Sequence, residues 1–395
     1  MARDFVFASE SVTAGHPDKL CDQISDAIVD RFLMEDPRSR VVAESAVSTS
    51  ILFLSVRQAS RAKFDVAEVA RGVIAEAGYD TNGEFDARDC TIMTSMQELP
   101  RSHLYSEDLA SMSDADLDRV VPDHHVTAFG YACDHTSVYM PLPVVLAHRL
   151  ARRLAELRGA PGHEWLMPDG MTQVGVEFRD RRPARLHSLT VVASQRMPEH
   201  PSPTELRNAL VDSLLNPVIR ECELDCDPQT RIFVNPEGPV IVGGPALHAG
   251  LTGRKTAMDT YGEYARHSGA ALSGKDPLRI DRVGTYAARY AAKNIVAAGL
   301  AQECEVQLSY SIGQAQPVSV QVQTFGTARL DEESIAERLR CAMDLRLGGI
   351  VRRFDLQSLP GCHGGVFYRR LAAYGQVGRA DMELPWEALD LVPGL

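Results

Sequence analysis

Apolar side chains recur at helical spacing in three widely separated segments. Over 18–32, Leu20, Ile24, Ala27, Ile28 and Phe32 fall on one stripe. Over 143–158 the stripe is Val144, Leu146, Leu150 and Leu154, and over 281–300 it is Tyr286, Tyr290 and Ile295. This period predicts three helices, each with one packed face. Two runs with strand character follow each stripe, at 41–48 and 51–57, at 173–178 and 189–195, and at 306–312 and 318–322. The last pair alternates most cleanly, with Val306, Leu308, Tyr310 and Ile312 and then Val318, Val320 and Val322. Such alternation puts the apolar residues on one face of a sheet. A second helix is predicted behind each pair: 66–77 after Asp65, 203–215 opening on Pro203, and 332–343 after Asp331. Aspartate as a cap satisfies an amide donor at a helix start, and proline in the first turn removes one. Short closing strands are expected at 90–95 and 231–234, with a third near 365–369.

One order of elements, met three times, predicts an α+β fold of three similar ββαβ-type domains with pseudo-threefold symmetry. The expected divisions are 1–112, 113–238 and 239–395, with elements free to interleave across them. A single irregular α+β domain is the alternative. The polar stretch 97–125 fits neither pattern and reads as a mobile loop or lid.

Composition narrows the function classes. The chain has 395 residues, 45% of them hydrophobic and 24% charged, and a mean hydropathy of −0.15. That balance excludes a disordered chain. No apolar run reaches the ~20 residues of a membrane span. The start, Met-Ala-Arg-Asp-Phe, lacks the basic and then apolar stretch of a secretory signal. A net charge of −12 argues against a nucleic-acid coat. The eight cysteines are scattered, and nothing near Cys222 and Cys226 completes a metal site. A cytoplasmic chain with reduced thiols is expected.

The positive charge is concentrated. Only five basic residues are lysine (Lys19, Lys63, Lys255, Lys275 and Lys293), and four of these lie in Gly-, Asp- or Arg-rich segments that look like sites. Between Arg254 and Lys293 eight basic residues face four acids. Such a focus in an acidic chain suits a small polyanion held in a cleft. The segment Gly243-Gly-Pro-Ala-Leu-His-Ala-Gly-Leu-Thr-Gly-Arg-Lys255 is a glycine-rich loop ending in two cations. Glycines let backbone amides approach phosphate oxygens. Its spacing is not that of a Walker loop. A second loop, Ser273-Gly-Lys-Asp276, leads to Arg279 and Asp281. Each loop alone also fits a turn with solvated charges; together they favour phosphate. Near the start, Pro17 opens a helix, so His16 and Asp18 stand at its positive end. Asp18 with Asp281 could hold a divalent ion between phosphates. Asp22, Asp26 and Asp30 continue the i, i+4 spacing and read as a solvated acidic face.

At these residues the chain resembles the S-adenosylmethionine synthetase (methionine adenosyltransferase) family. The resemblance runs over nearly the whole length. It includes Ser9-Glu-Ser-Val-Thr-Ala-Gly-His-Pro-Asp-Lys19, Asn235-Pro-Glu-Gly238, the Gly-Leu-Thr-Gly-Arg-Lys255 end of the glycine-rich loop, Asp259-Thr-Tyr-Gly262, Ser273-Gly-Lys-Asp276, Tyr286-Ala-Ala-Arg-Tyr290, Ala292-Lys-Asn-Ile-Val-Ala-Ala-Gly299, Ala373-Tyr-Gly375 and Pro385-Trp-Glu387. It implies three α+β domains about a pseudo-threefold axis, in dimers or tetramers with active sites between subunits. It also implies a nucleoside triphosphate and a small-molecule nucleophile as partners, with no nucleic acid and no membrane. In the family the methionine sulfur attacks C5′ of ATP and expels the triphosphate, which is then cleaved. By resemblance His16 stands near the breaking C5′–O bond, Asp18 and Asp281 bind Mg2+, and Glu44 binds K+. Arg254, Lys255 and Lys275 hold phosphates, Asp169 and Ala271 line the nucleotide site, and Glu10 supports it.

Several positions depart from the family pattern. The family's glycine-rich acidic loop is Val121-Pro-Asp-His-His-Val126 here, which leaves open whether His124 or His125 replaces its acid. Met171 stands for a phosphate-side lysine, and Pro239-Val240 for an Arg-Phe pair whose ring stacks on adenine. Such a stack is worth about 1–3 kcal/mol. In the acceptor pocket Arg57 and His248 replace two carboxylates, Arg279 replaces a lysine, and Leu99 replaces a glutamine, with Gln97 close by. A cationic acceptor would be repelled by Arg57. The resulting expectation is a divergent enzyme that expels triphosphate from a nucleoside C5′ with a different base or an altered, anionic acceptor. The alternatives are the ordinary methionine reaction with compensating residues, and a retired regulatory subunit.

Overall fold

The computed structural model describes residues 4–80, 83–100, 109, 111–196, 201–222, 224 and 226–395. The first third of the chain comprises β1 (Phe5–Val12), α1 (Pro17–Glu35), β2 (Arg40–Ser48), β3 (Ile51–Ala59), α2 (Val66–Glu76), β4 (Thr91–Glu98) and α3 (Asp114–Leu117). Next come β5 (Val126–Cys133), α4 (Leu142–Leu157), β6 (Leu166–Arg179), β7 (Arg182–Gln195), α5 (Pro203–Leu210), α6 (Asn216–Arg220) and β8 (Arg231–Val234). The last third has β9 (Val240–Ile241), β10 (Gly250–Leu251), α7 (Thr256–Asp259), α8 (Ile280–Ala297), β11 (Glu303–Tyr310), β12 (Ser319–Gln323), α9 (Glu332–Ala342), α10 (Leu347–Phe354), α11 (Leu359–Cys362) and α12 (Tyr368–Leu371). Among these residues no helix is long and apolar enough to cross a membrane.

Among the described residues three sheets form, and each takes a strand from another part of the chain. Their orders are β10-β2-β3-β4, β1-β6-β7-β8 with β9 also on β7, and β12-β11-β5. β1 precedes α1 yet pairs antiparallel with β6, from Phe5 opposite Phe178 to Val12 opposite Met171. β5 pairs with β11, from Val126 opposite Tyr310 to Cys133 opposite Glu303. β10 closes the cycle on β2, with Leu251 opposite Ala46. The repeat read from the sequence is therefore knitted together by exchanged strands.

Two helices form the centre. Every residue of α8 from Ile280 to Val296 is buried. Small residues let it approach the sheet: a Cβ on Gly130 would fall 1.9 Å from the Ala288 backbone. α1 is buried from Pro17 through Asp30, which corrects the expectation of a solvated acidic face. Asp22 binds Lys19 and receives the Gly253 amide. Asp26 receives the Gly274 amide and two hydrogen bonds from Arg282. Asp30 receives the amides of Phe367, Tyr368 and Arg369. A buried carboxylate persists only when its oxygens are satisfied, and here the partners are the loops that carry the site. Lys19 spans Asp22 and Asp259 at 2.9 and 2.5 Å, and Lys293 meets Glu387 at 2.8 Å. Those two lysines are structural.

The strand expected near 365–369 is a turn leading into α12. Gly364 and Gly365 adopt positive φ of 66° and 80°, and Asp30 takes the amides that a neighbouring strand would have needed. The helix at 203–215 continues past its expected end through a π-helical turn, Val211–Leu215, into α6. Pro217 has no amide to donate, and the widened turn absorbs that loss. β6 and β7 run longer than expected because Asp180 and Arg181, at φ 47° and 64°, make a two-residue hairpin of the primed type. In the 97–125 segment, 101–108 and 110 lie outside the described residues. The rest is anchored: Gln97 and Glu98 belong to β4, Leu109, Leu117 and Val120 are buried, and Arg346 and Arg352 hold Asp118 and Asp114.

Candidate active site

The turn between β1 and α1 gathers the first cluster. His16 is the cap of α1, its Nδ1 accepting the Asp18 amide at 3.2 Å. Asp18 also receives the Leu251 amide at 3.0 Å, so β10 and the start of α1 are tied together. The loop beyond β10 then carries Arg254 Nη1 to 3.9 Å and Lys255 Nζ to 3.8 Å from the Asp18 carboxylate, with Lys255 4.0 Å from Glu10. On the other side, Asp169 Oδ2 receives the Gly244 amide at 2.8 Å and His248 Nε2 at 3.1 Å. The His16 and His248 rings lie 4.9 Å apart.

Glycine is required in this wall. A Cβ on Gly243 would come within 2.7 Å of Ser194 and 3.0 Å of Asp169, and one on Gly253 within 2.2 Å of Ala271. Tyr79, buried against Gly244, donates from its hydroxyl to the Gly15 carbonyl at 2.6 Å and fixes the turn before His16. Val240 and Met171, two of the departing positions, lie in β9 and β6.

The second cluster sits at the amino end of α8. Asp281 Oδ2 accepts from Lys275 Nζ and His124 Nε2, both at 2.7 Å. Asp123 accepts from His124 Nδ1 at 2.8 Å and pairs with Arg279 at 2.8 Å and Arg40 at 3.6 Å. Thus His124 contacts Asp281, while His125 meets Ser311 and Ile312.

Burial pushes His16 down to about 4, against the pull of Asp169 and Asp18. The Asp169 hydrogen bond raises His248. Asp123 and Asp281 together raise His124 to about 9. Burial works to raise the Asp281 carboxyl, but His124 and Lys275 outweigh it and hold it low.

The two clusters share one edge of β2 without meeting. Leu251 stands opposite Ala46 and Lys275 opposite Val42, four strand residues or about 13 Å apart. Glu44 and Arg57 lie on the exposed face of the same sheet. Arg57 stands opposite Val42 on one side and Gln97 on the other. Leu99 donates its amide to the Gln58 carbonyl beside them. Within one chain, then, Glu10, His16, Asp18, Asp169, His248, Arg254, Lys255 and Ala271 gather at one place, and Lys275, Arg279 and Asp281 at another. Arg57 and Glu44 join neither. Sequence reasoning missed Tyr79 and misread Asp22, Asp26 and Asp30. The i, i+4 aspartate spacing was the signal for those three.

Comparison with known proteins covers the chain from end to end. The S-adenosylmethionine synthetase N-terminal domain matches residues 4–100, the central domain 121–240 and the C-terminal domain 242–388. An S-adenosylmethionine synthase of Thermosynechococcus vestitus is 44% identical over 99% of this chain and 97% of its own length. One of Rippkaea orientalis is 43% identical over 99% and 95%, and one of Prochlorococcus marinus 44% over 98% and 96%. Relatives that are S-adenosylmethionine synthases over nearly their whole length place the chain among the transferase enzymes. The chain belongs to the S-adenosylmethionine synthetase family. The expectation of a redirected or retired site is not borne out: relatives matched along their whole length carry the S-adenosylmethionine synthase name, and nothing among them points to another acceptor.

Proposed function

We propose that the chain transfers the adenosyl group of ATP to the sulfur of methionine, giving S-adenosylmethionine and expelling triphosphate, as a cytoplasmic homo-oligomer. The observation that carries this reading is the convergence of Arg254 and Lys255 on Asp18 at the amino end of α1, beside buried His16. Two cations and a helix amino end face one place, where the charge of a leaving polyphosphate is stabilised. The sulfur lone pair forms the new bond at C5′, and the C5′–O5′ electron pair leaves with the triphosphate. His16 accepts an amide at Nδ1, so its single proton stands on Nε2 and serves as a hydrogen-bond donor to the departing oxygen. Asp169 orders the glycine-rich wall through the Gly244 amide, with Ala271 on the nucleotide side and Glu10 behind Lys255.

The Asp18 and Asp281 carboxylates are hard oxygen donors that fit Mg2+, and Glu44 offers the same to K+. Bound Mg2+ supplies charge neutralisation on the phosphates. Arg57 and Arg279 offer the methionine carboxylate a partner, and Asp169 behind His248 offers its ammonium one. These are the compensating residues that the replaced positions require.

The separation of the two clusters favours a site built from two chains. The first sheet exposes Ile51, Phe53, Met93 and Leu251, a face that association would bury. Two copies packed across it would carry Lys275, Arg279 and Asp281 of one toward Asp18 and Lys255 of the other. The test is incubation of the protein with ATP, Mg2+ and K+, with and without methionine. S-adenosylmethionine formed with matching phosphate and diphosphate is expected. Equal nucleotide cleavage without methionine, or no S-adenosylmethionine with it, would overturn the reading.

A further inference from the structure

His16, Asp169 and His248 each bring one ligand atom within 4.8 Å of the others. They come from three different elements: the cap of α1, the strand β6 and the loop before β10. Two imidazoles and a carboxylate are a borderline donor set, suited to Zn2+ or Co2+ and poorly suited to Mg2+. We propose that this trio is a transition-metal site of the Zn2+ class, its three ligands distinct from the Asp18 and Asp281 carboxylates assigned to Mg2+, and reached from the half-exposed His248 side.

One pair of the trio already has the spacing of a bound ion, and His16, within 4.8 Å, has to close on it. His248 Nε2 and Asp169 Oδ2 stand 3.1 Å apart. Ligands at 2.0–2.1 Å from one zinc ion lie about 3.0–3.4 Å from each other. His248 gives its Nε2 proton to solvent, and that nitrogen and Oδ2 become the first two ligands. His16 supplies the third through Nε2, once its proton moves to Nδ1. There Asp18 Oδ2 lies 3.9 Å away, beyond hydrogen-bond distance but near enough for a side-chain rotation to make it the outer carboxylate that orients a metal-bound histidine. The helix-cap bond to the Asp18 amide is lost in that exchange. The Gly244 amide already fixes Asp169 Oδ2. Around the trio Glu10 and Asp18 offset Arg254 and Lys255, and the Asp169 carboxylate supplies the charge that draws a cation. Three protein ligands leave a fourth position open, as in sites that exchange a water or a ligand. Because the ion uses His16 Nε2, its occupancy and the donor role of His16 exclude each other.

The test uses the full chain, stripped with a chelator and titrated with Co2+ and Zn2+. Equilibrium dialysis should give one Zn2+ per chain, retained against a large excess of Mg2+. Bound Co2+ should show visible d–d absorption of a four-coordinate nitrogen and oxygen site without a thiolate charge-transfer band. His248→Ala, at a half-exposed position, should keep the fold by circular dichroism and weaken Zn2+ by about a hundredfold or more, at or beyond the loss from an outer-shell change. His267→Ala, outside the trio, should leave binding unchanged. Unaltered Zn2+ affinity in His248→Ala, displacement by Mg2+, or a thiolate band would overturn the proposal. None of these readouts requires turnover, so they stand apart from the adenosyl-transfer test.

Discussion

Asp26 and Arg282, 256 positions apart, meet in a fully buried ion pair in which Arg282 Nη2 donates to both carboxylate oxygens of Asp26, at 2.6 and 2.8 Å. The pair locks α1 to α8, the two helices whose amino ends carry the charged clusters. Asp26 also holds the Gly274 amide beside Lys275, so the same carboxylate fixes the loop that carries a proposed phosphate-binding lysine. Arg282→Met alone leaves that carboxylate buried without its cation and is expected to cost about 3–5 kcal/mol. Urea unfolding checks it, and a loss under 1 kcal/mol would show the pair to be dispensable.

Tyr79→Phe removes one hydrogen bond and little volume. The expected stability cost is about 1 kcal/mol, with a larger effect on turnover, because the Tyr79 hydroxyl holds the Gly15 carbonyl next to His16. Steady-state kinetics should show kcat falling more than KM rises. An unchanged kcat would remove Tyr79 from the positioning of the site.

His16 makes stability depend on pH. Its folded value near 4 lies below the ordinary 6.5, so its contribution is complete above pH 6.5 and is lost as pH falls toward 4. The full swing is about 3 kcal/mol. His148, pushed down by burial to about 3, acts in the same direction. Urea midpoints between pH 4.5 and 7.5 should flatten in His16→Gln without becoming level. An identical slope in that variant would contradict the burial argument.

His124 works in the opposite sense. Raised to about 9 by Asp123 and Asp281, it stabilises the fold below pH 6.5 and loses that contribution as pH climbs through 9. His124→Gln should remove the alkaline loss while leaving the acid limb intact. Melting temperatures at pH 6.5 and 9.5 decide it, and a wild-type difference preserved in the variant would count against the His124–Asp281 contact.

Lys255→Met removes one of the two cations beside Asp18. A loss of roughly 10²–10³ in kcat is expected for a group that meets charge developing on the leaving oxygens. A rise in KM of that size with kcat unchanged would make Lys255 a ground-state binder.

Phe53→Glu places a charge on the exposed face of the first sheet. Sedimentation should show the assembly falling toward monomer, and turnover should fall with it. A monomer of full activity would refute the site between subunits.

Periodicity in the chain determined much on its own. The stripes of α1, α4 and α8 and the paired runs after them were legible because helices and strands bury apolar side chains at fixed spacing. The cation-rich loops were legible because glycine, arginine and lysine cluster there in a chain that is acidic overall. Tertiary structure decided the rest. No local pattern tells β1 to pair with β6 and not β2, since the hydrogen-bonding edge of a strand carries no mark of its partner. The aspartates of α1 look solvated at i, i+4 spacing until Arg282, Lys19 and the amides of three distant loops are folded onto them. The strand expected near 365 fails for the same reason: Asp30 claims its amides. Charge can be counted along a chain, but whether it is solvated or buried depends on which partners, hundreds of residues away, the fold brings within 3 Å.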